Sequence, residues 1–245
     1  MHDTNVFHHT APRLRKPAPE PHHPLIEPSL FYDPPYERPL EDEFAWHLIK
    51  YLRPIAGLRY QVKIETPCTN AWVDFIVEHG ARRIGFEIGS LEADGSISTE
   101  PDAEQERYRD ALVIGSGALD VLYRFRAADL LYRPHDALHL AAVWDQALFS
   151  ERGCINLHTL ASPEARLCRP RPHETIARVT YAAPEEPVEA SLNEEMLWLQ
   201  DVPPALVVKR LSRANPGVWL TAYDEALRHF GVSDERLEQR WAKSA

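Results

Sequence analysis

Arg59-Tyr-Gln-Val-Lys-Ile-Glu65, Trp72-Val-Asp-Phe-Ile-Val77 and Arg83-Ile-Gly-Phe-Glu-Ile-Gly89 are the stretches that decide the fold. Each alternates. Tyr60, Val62 and Ile64 oppose Gln61, Lys63 and Glu65. Val73, Phe75 and Val77 oppose Trp72, Asp74 and Ile76, and Ile84, Phe86 and Ile88 oppose Gly85, Glu87 and Gly89. A period of two, filled by β-branched and aromatic residues, is the mark of a strand. His79-Gly80 supplies a turn, so the second and third strands form a hairpin.

Working outward, Glu41–Leu52 reads as an amphipathic helix. Pro39 suits its first turn, and Phe44, Leu48 and Leu52 share one face. Glu41 projects from that inward face. Downstream, Ser90–Pro101 reads as a polar loop, and Ala103–Ile114 as a helix stopped by Gly115-Ser-Gly117. Leu119–Phe125 follows as a strand, Pro134–Phe149 as a helix, and Gly153–Leu160 and Thr175–Tyr181 as shorter strands. This order predicts an α/β domain: a mixed sheet with helices on its faces, and a crossover joining Arg83–Gly89 to Leu119–Phe125 in parallel. Residues 1–39 are rich in Pro and His and predict a disordered arm. The domain then spans 40–182. Ala183-Pro-Glu-Glu-Pro187 reads as a linker into a helical C-terminal extension, 183–245, with helices over Leu192–Gln200, Pro204–Ala214, Val218–Phe230 and Ser233–Ala242.

The formal charge of -10 argues against a protein that coats nucleic acid by electrostatics alone. A local basic groove, or a metal ion that screens phosphate, is still compatible with it. Cys68, Cys154 and Cys168 sit at no metal-ligand spacing and fit a reducing cytoplasm. The first residues carry no basic start or apolar run, so no signal peptide is expected. No apolar run of about 18 residues exists, so no membrane span is expected either.

Asp74 and Glu87 fall on the less apolar faces of adjacent hairpin strands. Two carboxylates held close repel unless a proton or a cation lies between them. Mg²⁺ or Mn²⁺ meets that need and leaves room for water and a substrate phosphate. Glu41 can complete the cluster.

In the order Arg38-Pro-Leu-Glu41, Tyr60-Gln-Val-Lys-Ile64, Val73-Asp-Phe-Ile76, Ile84-Gly-Phe-Glu-Ile-Gly89, Arg109-Asp110 and Val121-Leu-Tyr-Arg-Phe125, the chain resembles PD-(D/E)XK nucleases over roughly residues 38–140. The branch it resembles is that of the very-short-patch repair endonucleases and their relatives. The resemblance implies a restriction-endonuclease-like fold, a divalent metal on Asp74 and Glu87 with Glu41 in support, and phosphate contacts from Arg109 and Arg124. It also implies a DNA substrate. One departure stands out: Glu87-Ile-Gly89 puts glycine where the family signature has lysine. Lys63 and Gln61 are the candidates to assist catalysis in its place.

Each of these residues has a plainer reading. A carboxylate on a strand serves equally as a solvated or salt-bridged group, and Glu41 as a helix N-terminal acid. Lys63 also reads as a solvated strand lysine, and Arg109 as a partner of Glu106 or Asp110. His135 and His139 lie four apart without the Glu of a zinc-protease helix. The residues and the resemblance together predict a metal-dependent phosphodiester hydrolase, a DNA endonuclease, with a catalytically inactive nucleic-acid-binding or protein-interaction module as the rival. The C-terminal helices, whose Gly231-Val-Ser233 turn looks like that of a helix-turn-helix, are a candidate surface for a protein partner.

Overall fold

A computed structural model describes residues 39–89, 102–182 and 203–232. Helix α1 (Pro39–Tyr51) leads into strands β1 (Gly57–Glu65), β2 (Asn70–His79) and β3 (Arg82–Gly89). Helix α2 (Asp102–Gly115) and strand β4 (Val121–Arg126) follow. Then come α3 (Ala127–Tyr132), α4 (Pro134–Trp144), α5 (Glu151–Leu160) and α6 (Pro163–Leu167). Strands β5 (Ile176–Thr180) and β6 (Ala205–Ser212) precede α7 (Pro216–His229). The result is an α/β fold with a six-stranded mixed sheet in the order β1-β2-β3-β4-β6-β5. Only β3 and β4 pair in parallel. The β2–β3 hairpin turns at Gly80, whose φ of 60° lies in the left-handed region that glycine adopts freely.

The two sheet faces carry different cores. On one, Phe44 of α1 sets its ring 5.7 Å from Phe75, 6.1 Å from Phe86 and 5.5 Å from Phe125. Each such ring is fully buried and is worth about 1.5–3 kcal/mol of transfer free energy. Leu48, Leu138, Leu140 and Leu157 extend that layer through α1, α4 and α5. On the other face, Ile76, Leu122 and Leu211 pack with Val113 and Ile114 of α2. Helix α7 lies against α2 so closely that a Cβ on Gly115 would stand 2.3 Å from the Tyr223 ring.

Four expectations fail. Tyr60 and Phe75 pack in the core beneath α1, whereas Val62, Ile64 and Val73 join Ile76 in the core beneath α2, so β1 and β2 switch faces at Gln61 and Asp74, where Gln61 takes a φ of 44°, instead of alternating throughout. Gly153–Leu160 is helix, not strand: Ser150 caps it by accepting from the Gly153 amide at 2.9 Å, and its buried residues Gly153 and Leu157 are four apart. Pro204–Ala214 is not a helix. Ala205-Leu-Val-Val-Lys-Arg-Leu-Ser212 is strand β6, paired on both sides, so the region after the linker completes the central sheet instead of forming a wholly helical extension. The helix expected over Pro134–Phe149 ends at Trp144, where Asp145 leaves helical backbone (φ -129°, ψ 53°) and its carboxylate binds Tyr123, Arg82 and Arg210. The arm before Pro39, the Ser90–Pro101 loop, the linker at 183–187 and the helices expected over Leu192–Gln200 and Ser233–Ala242 lie outside the described residues. No helix among the described residues is long and apolar enough to cross a membrane.

Candidate metal and phosphate site

Strand register assembles the site. The β2–β3 pairing sets Phe75 opposite Phe86; carried one residue further, it sets Asp74 opposite Glu87. Parallel pairing places Glu87 beside Arg124, and β4–β6 pairing places Arg124 beside Lys209. On the other flank Gln61 falls between the pairs Tyr60–Phe75 and Val62–Val73, opposite Asp74. Gln61, Asp74, Glu87, Arg124 and Lys209 thus form one polar row across five strands. Helix α2 lies over it, bringing Glu106, Arg109 and Asp110.

Gln61 is the one non-glycine residue with positive φ (44°) among the described residues. Left-handed backbone within a strand is strained. It lets the Gln61 side-chain amide donate from Nε2 to Asp74 Oδ1 at 3.3 Å and to Glu41 Oε2 at 3.4 Å. The other Asp74 oxygen, Oδ2, accepts the Ile88 backbone N–H at 2.8 Å, so side chain replaces backbone where the β2–β3 ladder stops. Glu41, in the first turn of α1, is only 3 % exposed.

Glu87 is 6 % exposed. Its Oε1 accepts Arg109 Nη2 at 2.6 Å, while Oε2 has no hydrogen-bond partner among the described residues. Arg109 also donates to the Trp72 carbonyl and, at 3.4 Å, to Glu106. Burial pushes the Glu87 carboxyl up to about 8, with the Asp74 charge adding to the rise and Arg109 and Arg124 opposing it. Burial raises Asp74 as well, against the pull of the Ile88 amide, Arg109 and Arg124. Two carboxyls that both resist ionisation mark a place where a proton or a cation is shared.

Comparison with known proteins yields no family: no protein-family model, curated protein or solved structure matches this chain.

The structure brings Glu41, Gln61, Asp74, Glu87 and Arg109 together. Lys63 pairs with Trp72 between Val62 and Ile64, which turn into the core beneath α2, so it faces away from Glu87 and Arg109; it is exposed and makes no hydrogen bond or ion pair among the described residues. Arg124, expected at phosphate, is instead 4 % exposed and committed to Asp110 and Glu106. Its charge is secure, because Asp110, Glu87 and Glu106 more than offset the cost of burial. Lys209 was not foreseen, since its segment read as helix. Burial, with Arg124 adding, lowers its ammonium below the usual lysine range, against the pull of Asp110 and Glu106. Glu106 and Asp110 were legible as possible partners of Arg109; only the sheet shows that they close on Arg124. The donors at Asp74 and Glu87 are all oxygen, which fits a hard divalent cation that keeps water in its remaining positions. Among the described residues no set of three or more His, Cys, Asp and Glu side chains is placed to hold an ion.

Proposed function

We propose that the protein is a metal-dependent phosphodiesterase acting on DNA, with a fold related to the PD-(D/E)XK nucleases. One observation carries the reading: Asp74 and Glu87 lie side by side just past the Phe75–Phe86 pair of adjacent strands, largely buried, both raised above ordinary carboxyl values. Asp74 and Glu87 would hold Mg²⁺ or Mn²⁺. When bound, such an ion supplies Lewis-acid stabilisation of the charge that builds on a cleaved phosphodiester. The other groups are the chain's own. Gln61 fixes the Asp74 carboxylate and ties it to Glu41. Arg109, partly exposed beside Glu87, meets the substrate phosphate. Arg124 acts from behind, holding α2 through Asp110 so that Arg109 keeps its place.

The second reading, a binding module without catalysis, is favoured by the Arg109–Glu87 contact, in which a protein cation already satisfies Glu87. Cleavage of single- and double-stranded DNA and RNA in Mg²⁺ or Mn²⁺ separates the two. The enzyme reading expects metal-dependent DNA cleavage that Glu87→Ala abolishes. No cleavage, or cleavage that survives the substitution, leaves the binding module.

A further inference from the structure

Arg109 is the one side chain in the site that faces both ways. Its guanidinium reaches Glu87 Oε1 at 2.6 Å and the Trp72 carbonyl, yet about a quarter of the side chain is exposed. The acids on its own helix do not depend on it. Asp110 is held by Arg124 through two bonds of 2.7 and 2.6 Å, whereas its approach to Arg109 is 3.9 Å. Glu106 likewise binds Arg124 and meets Arg109 only at 3.4 Å. Arg109 can therefore leave Glu87 without stripping a buried acid other than Glu87 of its counter-charge. Glu87 in turn has one oxygen in use and one without a partner among the described residues.

Resting on the metal-site reading above, we infer that Arg109 is an exchangeable counter-ion: it holds Glu87 until a divalent cation takes that carboxylate, and the released guanidinium then turns to the phosphate of the bound strand. Metal loading and substrate capture are thereby coupled through one side chain. A guanidinium suits the exchange, because its planar fork fits a carboxylate and a phosphate equally well. Arg109 is a positioning residue before the metal arrives and a substrate contact after it.

The test is Mn²⁺ binding by calorimetry on the full chain, alongside DNA cleavage. Removing the competitor in Arg109→Gln is expected to tighten Mn²⁺ binding about tenfold, the size of one lost charge-assisted hydrogen bond, while cleavage slows. The two readouts move in opposite directions, which a merely structural residue does not produce. Arg107→Gln removes an equal charge from an exposed position on the same helix and is expected to change Mn²⁺ affinity less than twofold, which separates contact from field. If wild type binds Mn²⁺ and Arg109→Gln binds it equally or more weakly, Arg109 is a fixed brace; the exchange is overturned and the metal site stands. If neither protein binds Mn²⁺, the metal site itself falls and the exchange with it. Should Arg109→Gln fail to fold, Arg109→Lys takes its place: lysine cannot span Glu87 and the Trp72 carbonyl together, so tighter binding supports the exchange and unchanged binding rejects it.

Discussion

Arg124 and Asp110 form a two-pronged ion pair between β4 and α2: Nε donates to Oδ2 at 2.7 Å and Nη2 to Oδ1 at 2.6 Å. Both side chains are almost wholly buried. Removing one partner strands the other charge in the interior, which costs more than the intact pair contributes. Asp110→Asn is expected to lower the unfolding free energy by about 3–5 kcal/mol in denaturant titrations. A loss below about 1 kcal/mol would mean that water reaches the Arg124 guanidinium and that the pair behaves as a surface contact.

Glu87 gives stability a pH dependence of unusual sign for an acid. Burial, with Asp74 adding, pushes the Glu87 carboxyl of the folded protein up to about 8, against an ordinary value near 4.5. Between those values the folded state binds more protons than the unfolded one, so metal-free stability falls as pH rises through the window and levels off above it. Asp74 acts in the same direction. Glu87→Gln is expected to flatten this slope and to raise the melting temperature at pH 9 relative to wild type. Equal slopes in the two proteins, measured in chelator, would show that Glu87 ionises normally in the fold.

Gln61 stands at a φ that glycine tolerates and alanine does not. Gln61→Gly is expected to be more stable than Gln61→Ala by about 1 kcal/mol, since the left-handed region costs a Cβ that much. In ordinary strand backbone the order would be reversed. Both variants lose the amide that links Glu41 to Asp74, so both are expected to lose cleavage even where Gln61→Gly keeps its stability. Chemical unfolding beside the cleavage assay reads the two effects separately.

The hairpin and its neighbours were legible because their sequences alternate with a period of two; the switch of face at Gln61 and Asp74, which sends Val73 to the side opposite Phe75, was not. That alternation also exposed the acidic pair. Strand β6 hid itself. Leu206, Val207 and Val208 are all buried, as an inner strand covered on both faces requires, and such a run has no period to tell it from a helix. With β6 went Lys209, the far end of the polar row. The error at Gly153–Leu160 ran the other way: Ile155 and Leu157 mimic alternation, while the Ser150 cap carried the true signal. The closure of Arg124 onto Asp110 was beyond sequence, because it depends on how α2 crosses β4.

The place of β6 between β4 and β5 also orders events during synthesis. As the chain leaves the ribosome, β1 to β4 can pair as soon as they emerge, and with them the Asp74–Glu87 couple. Strand β4 then waits with one bare edge of amides and carbonyls, and β5 with no partner at all, until Ala205–Ser212 arrives to bridge them. Until then the β4 edge is open to non-native pairing.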